Sequence, residues 1–361
     1  MISTPVYPSK VVQTDNGEKK VKNVRRIIAS HPDKIDVKLV EAKLAELTEA
    51  GRITERDESL LEHLREFSVL SLDQVHRLLW PDTLERVAYN RLYALSKYYL
   101  VGGARVPSAE MVSWKLPVRK VYTLGAGGWG WILGQVSKSS SVSHLRRDQV
   151  IHDLLVAEIY VRVWEAIRRR STEDEEWDVA WAGEKAASCY GPNNSLILSP
   201  DGLAIVKQQR DEHRSAMLPF FIELDKSREA HGRPSSDWGH KVGGYDFFFS
   251  NSWKTHPQLT ECPSFPWVLV ITHGQQRLSN LAQSILQHRK TPVIYFMGLW
   301  EDVIGADDFM TAPIWLVVTQ DGGILGHTRE ERQSLLPPAS APAASTAPVN
   351  GKVAAVVAEP A

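Results

Sequence analysis

Between Asp36 and Ala50 the apolar residues Val37, Leu39, Val40, Leu44 and Leu47 recur at helical spacing, and Gly51 ends the run. The spacing resumes near Thr54 with Leu60, Leu61, Leu64 and Phe67. Ser71 is a good N-cap for a third helix carrying Leu72, Val75, Leu78 and Leu79, which Pro81 closes. Thr83 is then expected to cap a fourth helix running to about Tyr99, with Ala88, Leu92, Leu95 and Tyr99 facing inward. After Gly102-Gly103, the stretches 104–106 and 119–124 read as two short strands around a loop. One long amphipathic helix is expected from His144 to about Arg170. Beyond it, short apolar strands alternate with helices. The strands lie at 195–206 (two, turning at Pro200-Asp201-Gly202), 218–226, 267–272, 292–297 and 313–318. The helices lie around Lys241 and over 276–288.

This order predicts an α+β chain. Residues 1–32 read as a disordered arm, 33–135 as a winged helix-turn-helix, and 136–143, rich in serine, as a linker. Residues 144–328 read as an α/β domain with a mixed sheet, like a restriction endonuclease, and 329–361, rich in proline and alanine, as a disordered tail. A length of 361 residues suits two or three domains. Two cysteines exclude a disulfide scaffold and fit a reducing compartment, so a cytoplasmic protein is expected. No apolar run approaches the roughly 20 residues that span a bilayer, and no apolar signal core opens the chain.

A formal net charge of −1 excludes a wholly basic coat, so any contact with DNA must come from a local patch. Residues 1–135 hold 20 Lys+Arg against 16 Asp+Glu, whereas the chain after Arg170 is acidic. The fourth helix sharpens this hint. Arg86, Asn90, Tyr93 and Lys97 fall on the side opposite its apolar stripe, and these side-chain types contact phosphates and base edges. Lys115, Arg119 and Lys120, in and beside the wing, would face the backbone of a duplex. A solvated face or a protein-binding module is the plainer alternative. Gly125-Ala-Gly-Gly-Trp-Gly130 matches G-x-G-x-x-G, but no βαβ unit follows. It reads as a tight turn into a connecting helix.

The back region carries a carboxylate cluster. Glu223 and Asp225 alternate onto one face of an otherwise apolar strand, where burial is costly unless they are paired or bind metal. Asp201 could join them from the neighbouring strand, and three oxygen donors would suit Mg2+ or Mn2+. Lys241 and Tyr245, four apart on a helix, could aim at these acids. Helix, antiparallel strands, helix, strand is the order of a PD-(D/E)xK nuclease core, whose motif sets Glu and Lys two apart. Here that second position is Asp225, so either Lys241 supplies the cation or the site binds without cutting. Pairing with arginines is a third reading. Glu158 and Glu165 read as surface residues of the long helix, and His144 and His152 as structural histidines. No H-x-H-style triad accompanies any of the ten tyrosines, so a relaxase-type tyrosine nucleophile is not supported.

Taken together, the helix-turn-helix ending at Ala88–Leu95, Val121-Tyr-Thr-Leu-Gly125, the His144–His152 helix start, Pro200-Asp201-Gly202, Phe221-Ile-Glu-Leu-Asp225, and Lys241 with Tyr245 resemble the replication-relaxation family. That resemblance covers roughly residues 55–300. It implies a bacterial DNA-binding protein of plasmid or mobile-element replication and DNA relaxation, with a winged helix joined to a nuclease-like domain. Other replication or mobilisation proteins are its implied partners. Two functions are carried forward: a DNA-binding accessory protein with a degenerate site at Asp201, Glu223, Asp225 and Lys241, or a Mg2+-dependent nicking endonuclease that uses them.

Overall fold

The computed structural model describes residues 28–29, 35–105, 111–112, 114–116, 120–137, 147–172, 175–191, 193–211, 214–226 and 237–337. A short strand, β1 (Ile28–Ala29), precedes helices α1 (Val37–Glu49) and α2 (Glu55–Phe67). Strand β2 (Leu70–Ser71) leads into α3 (Leu72–Leu79) and α4 (Glu85–Ser96). Strands β3 (Val101–Arg105) and β4 (Lys120–Leu124) form a hairpin, and the small sheet runs β1-β3-β4-β2.

Local chemistry explains these starts. Thr54 with Asp57, and Ser71 with Gln74, form reciprocal capping boxes that satisfy the orphan N–H groups of α2 and α3. The fourth helix departs from expectation. Its N-cap is Leu84 with no side-chain cap bond, because the Thr83 hydroxyl turns back to donate to the Trp80 carbonyl. Within the stretch expected to be an arm, β1 pairs with Ala104 and Arg105.

Helix α5 (Ala126–Leu133) begins inside the glycine motif. Gly127 and Gly128 both donate N–H bonds to the Tyr99 carbonyl, and a methyl on Gly125 or Gly128 would overlap backbone oxygens of Tyr99 or Leu100. The glycines therefore allow two backbone segments to touch at the corner after β4.

Helix α6 (Arg147–Arg170) then crosses one face of a seven-stranded sheet. The remaining elements are β5 (Glu176–Gly183), α7 (Glu184–Ala187), a two-stranded pair of β6 (Cys189–Tyr190) and β7 (Leu196–Leu198), then β8 (Gly202–Asp211) and β9 (Arg214–Asp225). They continue with α8 (Asp237–Asn251), β10 (Trp267–Thr272), α9 (Gln275–His288), β11 (Tyr295–Leu299), α10 (Trp300–Gly305), β12 (Leu316–Val318) and β13 (Ile324–Leu325). The order across the sheet is β13-β12-β11-β10-β9-β8-β5. Strands β9, β10 and β11 are parallel and the other pairings antiparallel, so the sheet is mixed. The turn expected at Pro200-Asp201-Gly202 lies between two strands as the pattern indicated, and it is a corner between sheets: β7 pairs with β6, while β8 pairs with β5 and β9.

Strand alternation splits the core in two. Ala204, Val206, Phe220, Ile222, Leu224 and Leu269 face α6, and their cluster continues through Leu154 and Leu155 to Leu60, Leu64 and Leu92 of the front helices. Leu203, Phe221, Val268, Val270 and Tyr295 face α8 and α9. The front and back regions thus share one packed interior. Within residues 329–337, expected to open a disordered tail, Gln333 bridges Trp315, and Arg332, Leu335 and Leu336 are buried. Among the described residues no helix is long and apolar enough to cross a membrane.

Candidate carboxylate centre and nucleic-acid interface

Asp201, Glu223 and Asp225 sit at one end of strands β8 and β9. Asp201 is opposite this end of β9, its N–H donating to Ile222 O at 3.0 Å. Glu223 is wholly buried on the α8 face. Its Oε2 accepts from Lys241 Nζ at 2.7 Å and its Oε1 from the Tyr245 hydroxyl at 2.8 Å, so both groups expected on one face of this helix meet the same carboxylate. Burial pushes the Glu223 carboxyl up to about 7, against the pull of Lys241 and helped by the negative charge of Asp201.

Asp201 and Asp225 go the other way. Burial raises both, but their partners outweigh it and hold both carboxyls below the usual range. Asp201 pairs through Oδ1 with His152 Nε2 at 3.0 Å and accepts the Leu224 N–H through Oδ2 at 2.6 Å. Asp225 accepts two bonds from Arg277, each 2.8 Å, and a third from the Thr272 hydroxyl at 2.6 Å. Each of the six carboxylate oxygens thus accepts from a protein donor. Glu223 and Asp225 share a face as alternation requires, yet each is drawn to a different helix, α8 or α9. Among the described residues no group of three or more His, Cys, Asp or Glu side chains is arranged to hold a metal ion. In this arrangement the three acids do not fit Mg2+ or Mn2+, because every one of their oxygens already accepts from a protein donor.

His152, read from the sequence as a structural histidine, pairs with Asp201, which the sequence did not indicate. It lies on α6, 49 positions before Asp201, and burial lowers its basicity less than Asp201 raises it. The pair borders a cleft of about 690 Å3 lined by Arg65, Phe67, Gln149, Asp153, Trp181 and Glu184, among others. Burial pushes the neighbouring Asp153 carboxyl up to about 6, although it accepts a bond from Gln149.

Glu158 and Glu165 were expected on the surface. Instead both hold Arg77 of α3, with Nη1 to Glu158 at 2.8 Å and Nη2 to Glu165 at 2.7 Å. Arg162 adds a bond to Glu158 and two to the carbonyls of Ile304 and Ala306. Gln74 Nε2 reaches Leu154 O and Glu158. This polar network clamps the front helices to α6. Its only sequence signal was a pair of glutamates seven apart on an apolar helix.

In the front region, Arg86, Asn90, Tyr93 and Lys97 are all exposed along α4. Lys97 lies over the Tyr93 ring, 4.7 Å from its centre. Arg91, on the same helix, is turned inward and pairs with the buried Asp57. Lys120 packs between Tyr89 and Tyr122, and burial with the nearby Arg105 charge lowers its basicity. Lys115 is exposed with φ 52°, beside Trp114. Trp114 packs against His273 with its ring tilted by 47°, and it accepts a bond at its carbonyl from Trp300 Nε1 at 2.7 Å, so this part of the loop is docked on the back region. Arg119 lies outside the described residues, as does His144.

The architecture is that of an α+β protein in which a helical front with a small antiparallel sheet is fused to a large mixed sheet. The sequence model of the replication-relaxation family matches residues 61–260, more than half of the chain, and the protein belongs to that family. Comparison with curated proteins and with solved structures gives no match.

Proposed function

We propose that the protein is a double-stranded-DNA-binding accessory factor of plasmid or mobile-element replication and DNA relaxation. It acts in the cytoplasm alongside other replication or mobilisation proteins. The observation that carries this reading is the row of Arg86, Asn90, Tyr93 and Lys97, exposed along α4 and its C-cap, in which the side chains of Arg86 and Asn90 make no hydrogen bond or ion pair among the described residues. The order α2, β2, α3, α4 and the β3–β4 hairpin, with β2 closing onto β4, supports a winged helix-turn-helix in which α4 enters the major groove. Family membership supports the replication role.

In this reading the back domain is a nuclease-like platform that does not cut. The succession α6, three antiparallel strands, α8 and parallel β10 supports the PD-(D/E)xK likeness. Cutting would require a metal-activated water, and the acids that would hold the metal are already committed to protein donors. Lys241 stands where a catalytic cation could, but it is spent neutralising Glu223.

Binding of the full chain to duplexes from its neighbouring intergenic DNA, followed by gel shift over a salt series, tests the first part. Replacing Arg86, Asn90, Tyr93 and Lys97 by alanine together should abolish site preference, since each base-reading pair is worth about 1–3 kcal/mol. Unchanged preference in that variant would refute it. Incubation of supercoiled plasmid with Mg2+ or Mn2+ tests the second part. Nicking that disappears in Glu223→Ala would show an active endonuclease instead.

A further inference from the structure

The N-terminal end of α4 is built against its own local rules. Ten large apolar side chains are exposed among the described residues, and four of them, Leu84, Val87, Tyr89 and Tyr93, fall on this helix and its cap. Leu84 is 78% exposed and Val87 44%. Leu84 also occupies the N-cap, where Ser, Thr, Asp or Asn would stabilise the helix by about 1 kcal/mol. An exposed leucine means little alone, but two apolar side chains left in water where a polar cap is favoured call for an occupant.

The neighbouring chemistry says which one. At 100° per residue, Arg86, Asn90 and Lys97 point outward together, Val87 flanks them, and Glu85, the one acid of the helix, lies about 100° away from Arg86. An exposed amide one turn from an exposed guanidinium matches the edges of adenine and guanine in the major groove. The remaining feature of an A·T pair in that groove is the C5-methyl of thymine, an apolar group that an apolar side chain reads. Val87 precedes Asn90 by three positions and lies about 60° from it around the helix, so an adenine held by Asn90 brings a thymine methyl toward Val87; Leu84, at the cap one turn earlier and about 60° further round, extends the same apolar edge toward the next base pair.

Building on the DNA-binding reading, we propose that Leu84 and Val87 are specificity-determining residues that recognise thymine methyl groups in the major groove, beside an adenine read by Asn90 and a guanine read by Arg86.

The test uses the full chain. Sites are first selected from a pool of random duplexes. Binding is then compared between the selected duplex and copies in which single thymines are replaced by uracil, which lacks only the methyl. Each contacted methyl should be worth about fourfold in affinity. At each contacted thymine, the thymine–uracil ratio should fall to about one in whichever of Val87→Ala or Leu84→Ala removes the side chain that reads that methyl, and stay about fourfold in the other. Circular dichroism confirms that both surface variants fold. Equal binding of thymine and uracil duplexes overturns the proposal, as does a difference that persists in both variants. Either result leaves the DNA-binding reading intact if the Arg86, Asn90, Tyr93 and Lys97 variant still loses site preference. Absence of any α4-dependent DNA binding refutes both, and would leave a protein partner as the occupant of the apolar end.

Discussion

Replacing Lys241 by methionine removes the cation that faces a carboxylate with no exposure to water. The cost depends on pH in a direction the structure fixes. The Glu223 carboxyl lies at about 7 in the folded chain against an ordinary 4.5. A raised carboxyl binds its proton more tightly when folded, so the native state loses stability as pH rises from 4.5 to about 7, by about 3 kcal/mol in all. Above that pH the wild type loses no more at this site, because Glu223 is ionised in both folded and unfolded chains. Without Lys241 the carboxyl rises further, and the loss continues at about 1.4 kcal/mol per pH unit. The Lys241→Met variant should therefore lie within about 1 kcal/mol of wild type at pH 5.5 and about 2 kcal/mol below it at pH 8.5. His152, whose basicity is raised, stabilises below its folded pKa and loses that contribution as pH rises, but equally in both proteins, so it cancels. Urea unfolding at closely spaced pH values measures the difference. A second substitution, Glu223→Gln, should flatten it. The same deficit at both pH values would mean that Lys241 contributes packing alone, and the account of the carboxylate centre would fail.

Arg77→Met leaves Glu158 and Glu165 beneath the front helices with Arg162 as the nearest remaining cation. A loss of about 3 kcal/mol is expected, the low end for breaking a buried pair, together with protease cleavage between the front and back regions. A loss below about 0.5 kcal/mol would show that the clamp is incidental. Gly125→Ala and Gly128→Ala should each cost at least about 2 kcal/mol, because the added methyl meets fixed backbone. Gly243→Ala in α8, where nothing lies within 4 Å, should be neutral or stabilising. Thermal unfolding of the three variants compares them, and equal effects would contradict the close-approach argument.

Local features were the most readable in the sequence. The helix start near Thr54, the cap at Ser71 and the apolar stripe of Ala88, Leu92 and Leu95 depend only on neighbours within a few positions and lie where their patterns indicated, whereas Tyr99, expected to extend that stripe, falls beyond the end of α4. The strand bearing Glu223 was equally plain, and so was the pairing of Lys241 with Tyr245, because both follow from fixed periods of 2 and 3.6. Thr83 failed as a cap because its hydroxyl had a nearer carbonyl to reach. Strand β5 carried a visible alternation of Trp177, Val179 and Trp181 between charged or small residues, and could have been read. The partners of the acids could not. Whether Asp225 meets a metal or Arg277 depends on where α9 settles, and whether Asp201 meets His152 depends on how α6 crosses the sheet. Those are tertiary outcomes with no local signature, and the same holds for Arg77.

The packing of Trp114 against His273, with the Arg77 clamp, has a mechanical consequence. Among the described residues these contacts tie the helical front to the seven-stranded slab, so the two regions form a stiff bracket. On the proposed DNA-binding reading, a copy seated on a duplex would hold its bulk at a set rotational phase about the helical axis. Two copies half a turn apart along the plasmid would then project to opposite sides, and shifting one site by five base pairs would bring them onto the same side.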